Sequence, residues 1–182
     1  MDAALTSDVR TDDAAEAIVR EPLPTFGHPD FRMIELLFFA YREFTADADS
    51  ILARYGFGRA HHRILHFVNR APGMTITDLL DLLQITKQSL SRVLRQLIDD
   101  GFIRQMPGAE DRRQRCLYPT VKGRELTLEL SRAQARRIEA ALSDAAPSDA
   151  APIGAFLRQM AADRPATREW FAKQGINWKD PL

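Results

Sequence analysis

The chain has 182 residues, of which 45% are hydrophobic and 27% charged, and its 25 basic and 25 acidic side chains cancel. That length supports one well-buried core and leaves no room for two enzyme-sized domains, and the composition is that of a soluble globular protein rather than a disordered one. No apolar run approaches the ~20 residues a bilayer span requires; a single cysteine, Cys116, excludes an internal disulfide, so a reducing cytoplasm is the expected compartment and no membrane is an expected partner.

Charge is unevenly placed. Between Gln84 and Arg124 nine Lys/Arg stand against four acids, whereas Met1–Pro24 holds six acids and two arginines. The N-terminal stretch has no apolar centre and reads as a flexible acidic arm over residues 1–27, not as a signal peptide. A concentrated basic segment in a neutral chain fits a phosphate-binding surface; a solvated charged face is the alternative.

Helical periodicity dominates the rest. Phe31, Ile34, Leu37, Phe38, Tyr41 and Phe44 recur at three- and four-residue steps, which predicts a helix from Asp30 to about Tyr55, broken by Gly56 and Gly58. A second helix over Arg59–Arg70 is expected to bury Ile64, Leu65 and Val68, and Pro72-Gly73 ends it. Thr77 is the expected N-cap of a short helix through Leu83, with Leu79, Leu80, Leu82 and Leu83 inward. Thr86 caps the next helix, whose apolar positions are Leu90, Val93, Leu94, Leu97 and Ile98 and whose stop is Gly101. Only Gln84 and Ile85 separate the two, so the pair reads as a tight helix-turn-helix.

After Gly101 the period changes from helix to strand. Phe102–Met106 and Gln114–Pro119 read as antiparallel mates joined by Pro107-Gly108 and a charged loop, Ala109–Arg113, which is the layout of a wing. A long helix is predicted from Thr120 to about Leu142 with Val121, Leu126, Leu130, Ile138 and Leu142. Pro147 interrupts it, and a further helix carries Ile153, Phe156, Leu157 and Met160. The tail then holds Trp170, Phe171 and Trp178, more aromatic surface than a tail normally leaves in water.

With Leu90, Leu94 and Leu97 inward on the helix after Thr86, Gln88, Ser91, Arg92 and Arg95 point outward and Ser89 lies at the edge. Arginine can bridge guanine O6 and N7 and glutamine can bridge adenine N6 and N7, each match giving ~1–3 kcal/mol of discrimination. Small hydroxyls allow close approach, and the start of the helix near Thr86 and Lys87 favours an anion. In the loop Glu110-Asp111-Arg112-Arg113 an arginine suits the narrow minor groove, while Asp111 is expected to orient Arg113 or cap the turn. Double-stranded DNA is therefore the expected partner, with an ordinary amphipathic helix as the bland alternative.

These residues carry a resemblance. The run Pro72-Gly73-Met74-Thr75, Ile85 through Arg92, Asp111-Arg112-Arg113 and Thr120-Val121-Lys122-Gly123 resembles the MarR family, whose acidic-x-arginine wing motif is followed nine residues later by the threonine of Leu-Thr-x-x-Gly. Asp111, Arg113, Thr120 and Gly123 sit at the matching spacing, and the resemblance covers roughly residues 30–165. Ala60-His61-His62-Arg63 and Lys87-Gln88-Ser89-Leu90 are similar to a proteobacterial subgroup of that family. Leu80 and Gln84 depart from the usual Ala and Gly or Asn, which predicts bulkier packing between the two helices. Pro119 replaces the usual Leu and lacks the amide needed within a ladder, so the hairpin should end there.

The resemblance implies a mainly α fold with a small β-hairpin wing: a winged helix-turn-helix over 58–119, on a helical dimerisation frame formed by 28–57 and 120–182. It further implies a homodimer, to which the first-helix stripe and the tail aromatics are assigned, with two recognition helices ~34–36 Å apart on a pseudo-palindromic operator. An effector pocket is also implied, with Phe39, Arg42, Arg59 and His62 as candidates. His62 and His66 are four apart, a metal-ligand spacing, but no further ligand completes a site, so packing residues are the preferred reading and neither metal nor cofactor is expected. Cys116 beside Arg115 could serve redox sensing, yet strand cysteines more often behave as small hydrophobes. A winged helix that contacts an acidic protein is the rival function. An enzyme is disfavoured, since the chain has no Gly-rich phosphate loop, nucleophile elbow, metal triad or acid pair.

Overall fold

The computed structural model describes Pro29 and residues 31–109, 111–144, 150–161 and 163–176. The elements run α1 (Phe31–Ala53), α2 (Arg59–Arg70), β1 (Met74–Thr75), α3 (Ile76–Leu83), α4 (Lys87–Asp99), β2 (Ile103–Pro107), β3 (Arg115–Pro119), α5 (Val121–Ser143), α6 (Ala150–Met160) and α7 (Pro165–Lys173). The fold is thus mainly helical with one small antiparallel sheet, as the sequence led us to expect. Pro147, Trp178 and Glu110 lie outside the described residues. Among the described residues no helix is long and apolar enough to cross a membrane.

The chain divides after Phe38 into two compact units. The described part of the first is the opening of α1, where Met33, Ile34, Leu36 and Phe38 are exposed. In the second unit α1 turns Thr45, Ala48 and Leu52 into the core, while Phe39 and Tyr41 stay exposed and Phe44 half-buried. The core gathers Ile64, Leu65 and Val68 of α2, Leu79 and Leu83 of α3, and Leu90, Val93, Leu94 and Leu97 of α4, closed by Phe102, Leu117, Leu126 and Leu130. Each such side chain contributes about 1.5–3 kcal/mol by leaving water, which is why α4 keeps one face fixed and the other free.

Local chemistry sets the ends of the helices. Thr86 caps α4, as expected, accepting from the Ser89 N–H at 3.2 Å. The cap of α3 differs: Thr75, not Thr77, accepts from the Asp78 N–H at 3.1 Å, and the Asp78 carboxylate accepts from the Thr75 N–H at 3.0 Å. Only Thr75 has an acid three residues on, so only Thr75 can close a reciprocal box. Gly101, with φ +76°, ends α4 as expected. Gln84, the C-cap of α3, has φ 52° and ψ 45° and is, among the described residues, the one non-glycine at positive φ. Its side chain is exposed, so of the two bulky residues expected here Leu80 packs against the core and Gln84 does not. The usual glycine or asparagine at this position answers the left-handed backbone instead.

The sheet has the order β1-β3-β2, all antiparallel. The strands start one residue later than expected, because the Phe102 N–H is spent on Leu97 O (2.8 Å) and the Gln114 N–H on Asp111 O (3.0 Å), both outside the ladder. Pro119 pairs with Ile103 at the last rung, so the hairpin does end there. β1, which sequence reading missed, adds Met74 opposite Leu117 and Thr75 opposite Cys116. Trp170 and Phe171 are not a loose tail but part of α7, and the Trp170 ring meets Phe67 of α2 edge-on at 4.9 Å. That contact leaves Trp170 half-buried within its own chain.

Candidate nucleic-acid interface

The candidate recognition face belongs to α4. Its buried row, Leu90, Val93, Leu94 and Leu97, faces the core on the side of α2 and β2, and the 3.6-residue period leaves Lys87, Gln88, Ser89, Ser91, Arg92 and Arg95 exposed. Thr86 also donates its hydroxyl proton to Ser89 Oγ at 2.9 Å, which orients Ser89 and leaves its own O–H free to donate. At the far side, His61 fixes α4 to α2. Its Nδ1 accepts from the Gly58 N–H at 3.1 Å, so the proton lies on Nε2, which donates to Gln96 Oε1 at 2.9 Å. The ring stacks on Phe57 at 4.6 Å. Sequence reading missed this strut; its one signal was a polar residue, His61, in line with Ile64 and Leu65 on the buried face of α2.

The wing loop is built by backbone and one carboxylate. Asp111 Oδ1 accepts from the Arg113 N–H at 2.9 Å, and the Gly108 N–H is bound to Gln114 O at 3.0 Å. Of the two roles expected for Asp111, the structure shows it holding the turn, which leaves the Arg112 and Arg113 side chains exposed beyond it. Such an Asx turn explains an acid in a basic loop.

The ion pairs of the described residues lie away from this surface. Ion pairs join Arg54 to Glu129, Arg59 to Asp49 and Arg137 to Asp47. Among the described residues none is made by Lys87, Arg92, Arg95, Arg112 or Arg113. These five cations are exposed and make no ion pair among the described residues, and cations gathered in this way raise the potential at the surface. Lys122 of the basic segment is used differently: its Nζ donates to Asp100 O at 2.9 Å and lies 4.1 Å from the Phe102 ring centre, tying α5 to the end of α4.

The other candidates are distributed as follows. Arg42 lies over the Phe39 ring at 5.1 Å, and Arg59 lies over Tyr41 at 5.4 Å while bound to Asp49. His62 is half-buried on the neighbouring turn. None of the four lines the cleft of about 630 Å³ between α3 and α7, whose wall includes Met74, Asp78, Asp81, Leu82, Gln84, Arg164, Glu169 and Trp170. Burial holds the pKa of His62 below 6.5, helped by His66 and opposed by Asp49, and burial with Arg70 does the same to His66. Among the described residues no group of three His, Cys, Asp or Glu is placed to hold a metal ion. Cys116 is buried in β3, paired between Thr75 and Met106.

Residues 55–114 match the model of the MarR family. The HTH-type transcriptional regulator PetP of Rhodobacter capsulatus is 56% identical over 108 residues, which are 59% of this chain and 65% of that protein's length. The chain thus spans a little under two thirds of this curated relative. YybA of Bacillus subtilis, another HTH-type regulator by name, is 25% identical over 118 residues, 64% of this chain and 77% of YybA. Among solved structures, Streptococcus pneumoniae FabT in complex with DNA matches with a TM-score of 0.63 at 20% identity, over 72% of this chain and 94% of that one. That last likeness shows the winged-helix fold.

Proposed function

We propose that this chain, whose residues 55–114 match the MarR-family model, is a cytoplasmic transcriptional regulator of that type that binds double-stranded DNA. The observation that carries the reading is the unpaired cationic surface. The outer face of α4 enters the major groove, with Gln88, Arg92 and Arg95 on base edges and Thr86, Lys87, Ser89 and Ser91 toward phosphates. Arg112 and Arg113 reach the adjacent minor groove from the turn that Asp111 holds.

In this reading the protein works as a homodimer. Exposed apolar side chains on α1 (Phe38, Phe39, Tyr41), α5 (Leu128, Ile138) and α6 (Ile153, Phe156, Leu157, Met160) support it, because so much apolar surface on three helices is more than a monomer normally leaves in water. Residues 28–57 and 120–182 then form the frame and 58–119 the DNA-binding domain, behind the acidic arm at 1–27. A two-fold pair of α4 helices reads a pseudo-palindromic operator. A small-molecule effector modulates it through the region of Phe39, Arg42, Arg59 and His62.

Binding to genomic fragments in a salt series, followed by sequencing of the retained DNA, tests this. Affinity should fall steeply and linearly on a log–log salt plot, and the retained fragments should share an inverted repeat. Binding that ignores salt sinks the DNA reading and favours a protein partner. Removal of residues 150–182 should yield monomers that bind DNA poorly; a compact, fully active truncation overturns the dimer.

A further inference from the structure

The helix α7 lies along α3 in the opposite direction: Arg164, its N-cap, reaches Gln84 at the end of α3, while Lys173 feels Asp78 at the beginning. Two contacts with α2 hold it there, Trp170 against Phe67 at 4.9 Å and Arg70 Nη2 to Gln174 Oε1 at 2.8 Å. The helix therefore delivers one side chain to the turn of the helix-turn-helix. Arg164 Nη1 donates to Gln84 Oε1 at 3.0 Å, and the same amide is oriented from its other end, Gln84 Nε2 donating to Asp81 O at 2.6 Å.

The neighbouring charges of this segment are spent internally, Arg168 on Asp163 at 3.0 Å and Lys173 on Glu169 at 2.8 Å. Arg164 is exposed and makes no ion pair among the described residues; its bond to Gln84 is to a neutral oxygen and engages one of its five N–H donors. Of the acids lining the cleft behind it, Asp78 accepts from the Thr75 N–H and Glu169 from Lys173, leaving Asp81 as the opposing charge there. Two residues beyond Gln84 stands Thr86, the cap of the recognition helix. We propose that Arg164 is a DNA-backbone contact, a guanidinium positioned by Gln84 to grip a phosphate flanking the groove that α4 enters. The proposal rests on the DNA reading above and extends the interface to a helix outside the matched family domain.

The test measures binding of the full chain to a mixed-sequence duplex of about 30 base pairs, long enough for two half-sites one turn apart, over a salt series. Arg164→Ala should flatten the log–log slope by about 0.9 per protomer bound, Arg164→Lys should retain most of it, and Arg168→Ala, already paired, should leave it unchanged. Thermal melts of all three should match the wild type, since the three side chains altered are exposed or surface-paired. A wild-type slope preserved in Arg164→Ala overturns the proposal while leaving the DNA reading intact. So does weaker binding at unchanged slope, which would make Arg164 a brace for α7, or equal flattening by Arg168→Ala. A wild type that binds without salt dependence removes the DNA reading and this proposal together.

Discussion

Gly123 packs so closely on Phe102 that a Cβ there would collide with the Phe102 carbonyl oxygen and lie 3.0 Å from its carbonyl carbon. The approach is tied by Thr120, whose N–H donates to Phe102 O at 3.1 Å, whose hydroxyl donates to Gly101 O at 2.7 Å and whose Oγ1 accepts from the Gly123 N–H at 3.0 Å. The Thr-x-x-Gly spacing is thus a joint between the end of α4, the wing and α5. Gly123→Ala should lower stability by about 3 kcal/mol, because backbone rather than a pliant side chain must move. Thr120→Ala should cost about 1–2 kcal/mol as a lost cap, with Thr120→Ser close to wild type. Urea unfolding at matched protein concentration reads all three.

Gln84 sits in left-handed backbone at the turn before α4. Gln84→Gly removes the bonds to Asp81 O and Arg164 but relieves strain of about 1 kcal/mol, so its melting temperature should stay close to that of the wild type. Gln84→Val keeps neither bond and adds branching at Cβ, and should lose about 2 kcal/mol. Equal melting temperatures for the two variants would remove strain as the reason for the family's glycine.

His62 and His66 titrate below the ordinary 6.5, both chiefly through burial. The unfolded chain takes up those protons first, so the stability that depends on neutral rings is present above pH 6.5 and is lost as pH falls through the lowered folded values. The melting temperature should drop on acidification below 6.5. A His62→Gln, His66→Gln double variant should show a flatter profile; an unchanged profile refutes the assignment.

The two cationic elements should separate by readout. Arg92→Ala should relax base preference at one position by ~1–3 kcal/mol, while Arg113→Ala should weaken binding most on duplexes with A·T-rich flanks, where the minor groove is narrow. Competition between flank variants of one retained fragment measures both. If neither substitution changes retention, the assigned faces of α4 and the wing are wrong.

What could be read without coordinates follows the length scale of each signal. Helices α1, α2, α4 and α5 span at least three turns, so their apolar period was visible, and the wing announced itself where that period stopped. Thr75 was open to reading, since Asp78 stands three residues on; Thr77 attracted the cap because an apolar run begins just after it. β1 was not, because two residues have no period. Nor could nine residues of α7 disclose whether Trp170 meets its own chain or another, since both surfaces want the same ring. The turn at Gln84 shows the same gap: its position was evident, its left-handed backbone and its bond to Arg164 were not.

The order β1-β3-β2 has a kinetic corollary. Its central strand is flanked by partners of very different reach: β2 joins it through a local hairpin, whereas Met74 and Leu117, opposite each other, are more than forty residues apart along the chain. Closing so long a loop is slow compared with forming a helix or a hairpin. The rung from Met74 to Leu117 is therefore expected to form late, and amide exchange at the Gly73 N–H, bound to Leu117 O at 2.8 Å, should report the cooperative opening of the whole domain rather than a local fraying of the wing.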